Sequence, residues 1–317
     1  MQTIDKTDFV FPGQVGVYHG KVRDVYDLGE KLVFVTTDRY SAFDRNLAVV
    51  PHKGELLTAI SNWWFDQTKS IVPNHIIASP DPNAVLGKKY KVVGIEMVVR
   101  GYITGVTNTS LWHTYSEGQR DYGTFTLPDG LTKNQKLPEP VLTPTTKFEE
   151  HDRNLTPDEA VKEGLVDVSV WEKLQKIALE LFTFGQETAA AKGLILVDTK
   201  YEFGQDPDGN VVLIDEIHTP DSSRYWLAES YQASIDAGVE PDNYDKEFLR
   251  LWFKERFDPY ADQEAPAPTP EIIDELTQRY IRVYELLSGQ KFLPANDSVD
   301  VLKRIESNVL KVLEELK

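Results

Sequence analysis

The sequence predicts a fold of mixed helices and strands in two parts, and three observations carry that prediction. Period-two alternation interrupted by turn residues occupies 20–37 and 194–216, the pattern of antiparallel hairpins. Apolar residues at helical spacing occupy 271–287 and 298–316, the pattern of amphipathic helices. Near 91–93 a hairpin-rich stretch gives way to a mixed one, so the expected division is 1–92 and 93–317. A chain of 317 residues has ample core for one large or two moderate domains.

Composition narrows the function classes. A formal net charge of −17 argues against nonspecific nucleic-acid binding, which needs basic stripes along the phosphate backbone. Small phosphorylated ligands stay open, because screening over about 8 Å lets a local basic cluster or metal act independently of distant acidic surface. The chain has no cysteine, which excludes disulfides, thiolate metal sites and cysteine nucleophiles and fits a reducing compartment. Residues 1–11 lack the basic run and apolar core of a signal peptide. No apolar run approaches the roughly 20 residues that span a bilayer. A cytoplasmic protein without membrane or nucleic-acid partners is the expectation.

Residues 194–226 are the most informative stretch. Leu194, Leu196, Asp198, Lys200 and Glu202 alternate with Ile195, Val197, Thr199, Tyr201 and Phe203, and 206–210 supply Pro, Gly and Asn for a turn. Residues 211–216 read as the returning strand. If Gly204 opposes Val211, Lys200 faces Asp215 and Glu202 lies diagonal to it. Asp198, Lys200, Glu202 and Asp215 would then share a face with Leu194, Leu196, Val211 and Leu213. Three carboxylates around one lysine repel unless something fills the space, and divalent cations with phosphates would relieve them. A solvated face carrying surface ion pairs is the plainer alternative.

The other segments follow in order. Gly20 and Lys21 head the hairpin at 20–37, where backbone amides and an ammonium can lie along phosphates; taken alone, a plain surface hairpin is the more ordinary reading. The chain contains no P-loop and no dinucleotide-binding glycine pattern. Residues 37–44 read as a loop, functional or merely turn-forming. A helix is expected at 55–69 with Leu56, Ile60, Trp63 and Trp64 inward, then a strand at 90–100 broken at Gly94. Arg100 at its end suits a phosphate or carboxylate, or a surface ion pair. Residues 128–144 are loop-rich, and 143–147 with 151–155 look ligand-facing. Thr156 and Pro157 start a helix, and a long helix covers 169–192. The run 219–224 places Ser222, Ser223 and Arg224 in one loop, as an anion or an ordinary helix cap would require, with a helix starting nearby. Residues 266–270 form a stiff linker.

Together, the motifs at 20–24, 38–44, 194–204 and 213–226 resemble the SAICAR synthetase family of purine biosynthesis, in the right order from Gly20 to Trp226. The resemblance implies a two-domain α+β fold related to ATP-grasp and kinase-like folds, with ATP in an interdomain cleft under the first hairpin. It implies an ATP- and Mg2+-dependent ligase joining L-aspartate to carboxyaminoimidazole ribotide (CAIR) through an acyl phosphate, acting as a monomer or small homo-oligomer. By that resemblance Lys21 lies along the ATP phosphates, and Lys147 is a second nucleotide-side lysine. Glu202 and Asp215 hold magnesium. Lys200, Asp198 and Asp221 stabilise charge at the reaction, and Arg100, Ser222, Ser223 and Arg224 bind substrate. One position departs: where the family has serine on the ribotide phosphate this chain has Val106, leaving Thr107, Thr109, Ser110 or backbone amides to replace it. A small-molecule kinase with a D-x-K motif and a non-catalytic nucleotide sensor are the alternatives. Glu202, Asp215 and the 219–224 run favour the ligase over the first, and the retained Lys21, Lys200, Glu202 and Asp215 favour it over the second.

Overall fold

The computed structural model describes residues 2–149, 151–261, 263–295 and 298–316. The chain gathers into two compact units: Met1–Trp63 with His75–Lys89 and Tyr244–Lys317, and Trp64–Asn74 with Tyr90–Asn243.

The first unit opens with β1 (Gly16–His19), β2 (Arg23–Asp27) and β3 (Lys31–Thr36). The β2–β3 hairpin is the expected one, turning at Gly29 with φ 87°, where glycine carries no steric cost. The extra strand β1 pairs with β2, so Gly20 and Lys21 form the turn of a second hairpin. Residues 39–49 also form a hairpin, β4 (Arg39–Ala42) and β5 (Arg45–Val49), so the loop expected over 37–44 is largely strand and turn. Its central residues Phe43 and Asp44 both have positive φ, 52° and 58°, which is the backbone of a two-residue hairpin turn without the usual glycine signal. α1 (Lys53–Thr68) follows, then β6 (Ile76–Asp81) and β7 (Ala84–Lys88), completing an antiparallel sheet of order β1-β2-β3-β7-β6. A Cβ on Gly54 would lie 2.3 Å from the Thr36 carbonyl oxygen, so glycine permits the approach of α1 to β3.

The second unit carries β8 (Lys91–Ile103), α2 (Leu111–Ser116), β9 (Gln135–Leu142), β10 (Thr145–Thr146), α3 (Pro157–Lys162), α4 (Val168–Ala190), β11 (Leu194–Gln205), β12 (Val211–Ile214), β13 (Ser223–Leu227) and α5 (Ala228–Ala237). β8 and β11 form the antiparallel centre of its sheet, with β9 and β10 along β8 and β12 and β13 along β11. Gly94 does not break β8; it lies where the register with β11 shifts between Glu202 and Gly204. β9 occupies residues expected as loop, because Pro138 and Pro140 are tolerated where a strand has one partner only. Thr156 and Glu159 form a reciprocal capping box at the start of α3. α4 buries Trp171, Leu174, Leu181 and Phe182 along one face.

The chain then returns to the first unit as α6 (Glu247–Lys254), α7 (Pro270–Ser288) and α8 (Val301–Glu315). Grouping therefore differs from the expected continuous division at 92/93. A sheet needs a covering layer for its apolar face, and α8 supplies it: Ile305 and Val309 pack with Phe9, Phe11, Tyr26, Val33 and Leu86. Leu249, Phe253, Leu276 and Tyr280 of α6 and α7 close a second cluster with Tyr40, Leu56 and Leu57. Arg304 pins α8 through Asp81 (3.1 and 3.2 Å) and Asn83 (2.6 Å). No helix among the described residues is long and apolar enough to cross a membrane.

Because Asp81 is fully buried and Arg304 is its ionic partner, Arg304→Ala should destabilise the protein by about 3–5 kcal/mol. Urea denaturation at neutral pH measures it, and a loss under about 1 kcal/mol would remove the pair from the supports of α8.

Candidate active site

One face of the β8–β11 ladder carries a row of charges. Direct cross-strand partners are Asp198 with Arg100, Lys200 with Val98, and Glu202 with Glu96. Side chains two apart on a strand share a face, so Arg100, Glu96, Asp198, Lys200 and Glu202 lie together. Asp198 and Glu202 are separated by about 13 Å of strand, at roughly 3.3 Å per residue.

Two details differ from the expected hairpin. Gly204 opposes Val212, not Val211, so Val212 and Ile214 share the Glu202 face in place of Val211 and Leu213. That one-residue shift would carry Asp215 to the opposite face, but Asp215 lies beyond the strand in a left-handed conformation, φ 65°. Burial lowers the Lys200 ammonium pKa, but Glu202 and Glu96, with a smaller share from the Asp215 carboxylate, raise it overall. The second difference is a bulge between Leu196 and Asp198. It turns Leu196 toward α4, where its side chain abuts Gly185, and leaves Ile195 and Val197 with Tyr102 and Trp226.

The arginine end is a buried ion cluster. Asp198 accepts from Arg224 at 2.5 Å and lies 3.6 Å from Arg100. Arg100 also donates to the Thr143 hydroxyl (2.7 Å) and the Thr109 carbonyl (3.1 Å). Burial pulls the Arg100 pKa down to about 10, with the neighbouring Arg224 charge adding to it and Asp198 opposing it. The 104–110 turn wraps this cluster. Gly105 has φ 101°, and a Cβ there would lie 3.0 Å from Arg224 Nη2 and 2.4 Å from Ser110 Cβ. Ser110, one of the hydroxyls that could stand in for the serine absent at Val106, flanks Gly105 as Arg224 does, but it is buried and donates to the Thr107 carbonyl at 2.7 Å.

The glutamate end is bracketed by lysines. Lys200 Nζ is 2.6 Å from Glu96 and 3.2 Å from Glu202. Lys147, placed by the short β10, bonds Glu202 and lies 3.7 Å from Glu96. Burial and the facing carboxylate raise the Glu96 pKa. Glu202 is held well below the usual range, because Lys200 and Lys147 overcome its burial. Sequence reasoning missed Glu96, although a lone carboxylate inside the apolar run 92–99 was a visible signal. With Asp215, three carboxylates face two ammonium groups here. Hard oxygen donors with a negative excess fit magnesium, which takes one or two carboxylates and completes its shell with water and phosphates. Among the described residues no group of three or more acidic or histidine side chains is arranged to cage a metal by itself.

Residues 219–224 do not start a helix; Ser223 and Arg224 begin β13. The Thr219 hydroxyl instead accepts from the amides of Asp221 and Ser222, both at 3.2 Å, closing a tight turn. Asp221 is buried in it and Ser222 half-buried, whereas Ser223 donates to Thr199 at 2.7 Å. The turn is pinned by His218, wholly buried at φ 50°, with Nε2 2.5 Å from the Tyr201 hydroxyl and its ring edge-on to Trp64 at 4.6 Å. Lys21 belongs to the first unit, where it is exposed and pairs with Asp44. His151 is exposed.

Comparison with known proteins places these residues in context. The family model for SAICAR synthetase matches residues 16–267. The phosphoribosylaminoimidazole-succinocarboxamide synthase of Legionella pneumophila (strain Paris) is 56% identical over 296 residues, covering 93% of this chain and 95% of that protein. Among solved structures, SAICAR-synthase from Saccharomyces cerevisiae complexed with SAICAR superposes with TM-score 0.77 at 33% identity, covering 91% of this chain and 99% of the other. A type-2 SAICAR synthetase in complex with ADP gives TM-score 0.67 at 26% identity, covering 88% and 100%.

Burial pushes the His218 imidazole down to about 3. Between that value and about 6.5 the unfolded chain takes up a proton that the native ring refuses, so stability is complete above 6.5 and lost as pH falls through this window. From pH 7.5 to pH 5 the loss from this residue should be about 2 kcal/mol. Urea denaturation of His218→Phe at both values should show a correspondingly shallower pH slope; an unchanged slope would mean the ring titrates normally.

Proposed function

The chain belongs to the SAICAR synthetase family, and on that premise we propose that the charged face of its β8–β11 ladder is where CAIR and L-aspartate are joined. The activity is an ATP-dependent ligation in purine biosynthesis. The observation that carries the residue assignment is the row itself, with guanidiniums at one end and a lysine-bracketed acidic pair at the other.

The chemistry asks for that division. A carboxylate is a poor acyl donor because its leaving group would be oxide. Transfer of the ATP γ-phosphoryl group to the CAIR carboxylate gives an acyl phosphate and ADP. The aspartate amine then attacks the acyl carbon, phosphate leaves, and the amine proton is lost. Charge develops on phosphoryl oxygens, so fixed cations are the main requirement. Lys200 supplies one, and Lys147 a second on the nucleotide side. Magnesium, held by Glu202 and Asp215, would neutralise phosphate charge. Lys21 is assigned to the ATP phosphates. Arg100 and Arg224 bind an anionic group of the ribotide, with Asp198 between them cancelling one charge. Ser222 offers a further donor, Ser223 anchors the strand that carries Arg224, and Asp221 is the substrate-side carboxylate of the turn. We further propose that the enzyme acts in the cytoplasm as a monomer or small homo-oligomer, and the cysteine-free composition fits a reducing compartment.

The direct test is ADP release with magnesium, ATP and CAIR, with and without L-aspartate, following product mass. Aspartate-dependent release with the succinocarboxamide mass is expected; ADP formation without that product would refute the ligase. Glu202→Gln should lower turnover by roughly 100–1000-fold and raise the magnesium concentration for half-maximal rate, with the circular-dichroism spectrum unchanged. Near-normal turnover would take Glu202 out of the metal site. Arg224→Ala should raise the KM for CAIR by about 10–100-fold and leave that for ATP within about twofold. Equal effects on both would contradict its substrate-side role.

A further inference from the structure

Beneath the exposed Gly20–Lys21 turn lies a buried ion pair that the ligation chemistry does not use. Asp24 is fully buried and Arg39 is 5% exposed, and they meet at 2.8 Å. Burial raises the Asp24 pKa, but hydrogen bonds from Arg39, Thr7 and His19 overcome it and hold the group below its ordinary value. The Arg39 guanidinium then reaches backbone: Nη2 donates to the Gly20 carbonyl at 2.8 Å, Nε to the Lys21 carbonyl at 3.3 Å, and Nη1 to the Asp5 carbonyl. The next carbonyl, Val22, accepts from the Thr37 amide at 2.9 Å and hydroxyl at 2.7 Å.

A buried ion pair is a weak source of stability, because desolvation offsets most of its attraction. This one fixes direction instead. The described peptides are all trans, and a planar trans peptide points its N–H opposite to its C=O. Carbonyls of Gly20 and Lys21 drawn inward onto Arg39 therefore turn the amides of Lys21 and Val22 outward. Neither amide donates to another described residue. Two adjacent outward N–H groups beside the Lys21 ammonium form an anion-binding concavity.

We propose that Arg39, held by Asp24, is a positioning residue for nucleotide binding: it orients the Lys21 and Val22 amides toward the phosphates of ATP without touching them. The inference rests on the reading that this turn receives nucleotide. Arg39→Lys keeps a positive charge against Asp24 but cannot span a carboxylate and two carbonyls with one ammonium.

In the full-length protein, saturating Mg-ADP should shift the backbone amide resonances of Lys21 and Val22. In Arg39→Lys those shifts should vanish and the ADP Kd rise at least about 10-fold, one to two lost charge-assisted hydrogen bonds, while the CAIR Kd stays within about twofold. Wild-type amides that ignore bound ADP would sink the underlying reading. Amides that respond equally in both proteins, with equal ADP affinity, would overturn the role of Arg39 alone. Parallel weakening of ADP and CAIR would reduce it to a structural residue. Should Arg39→Lys fail to fold, Val22→Pro removes one outward amide and leaves the buried pair intact. The same selective loss of ADP affinity is expected, and unchanged affinity would overturn the proposal.

Discussion

Glu96 and Glu202 face each other across the β8–β11 ladder, and the charged groups around them are arranged as that opposition requires. As a general scale, like charges about 5 Å apart repel by roughly 3 kcal/mol at an effective dielectric of 20, whereas an ammonium–carboxylate contact near 3 Å gains about 5 kcal/mol before desolvation. Two lysines reach the pair and relieve it: Lys200 from the same face of β11, and Lys147 from the strand end that β10 docks on β8. The raised Glu96 and the depressed Glu202 express the same bargain, with one carboxylate holding its charge more firmly than the other.

The ladder also sets distance. Backbone pairing places the arginine cluster and the glutamate pair on one rigid face, about 13 Å apart, so neither depends on a loop for its position. On the far side α4 closes the sheet, and His218 with Tyr201 and Trp64 anchors the turn that carries Asp215 and Asp221. The first unit solves a comparable problem differently. There a buried ion pair governs the direction of backbone peptides beneath an exposed turn, and α8, the last helix of the chain, covers the sheet that the first strands build.

Much of this was legible in the sequence where one pattern dominates locally. Alternation over 198–204 and the helix start at Thr156 depend on neighbours in the chain, and both formed as expected, whereas the bulge at Leu196 interrupted the alternation before them. Features that depend on distant partners were not legible. The β11–β12 register differed by one residue, because turn length cannot be read to that accuracy from Pro, Gly and Asn alone. Prolines hid β9, and the Asp-Ser-Ser signal of a helix cap served a strand start at Ser223. The charge row was half visible: Asp198, Lys200 and Glu202 stand in one motif, but Glu96 and Arg100 join them only through strand pairing. The return of 244–317 to the first unit has no local signal.

The lysine-bracketed acidic pair can be tested without substrate. A double-mutant cycle of Glu96→Gln and Lys200→Met, read by urea denaturation at neutral pH, measures whether the two side chains act as one cluster. An interaction energy of about 1–3 kcal/mol is the predicted result, as for residues sharing one ion-pair network. Effects that add within about 0.3 kcal/mol would contradict it, and the opposition of Glu96 and Glu202 would then need another source of relief.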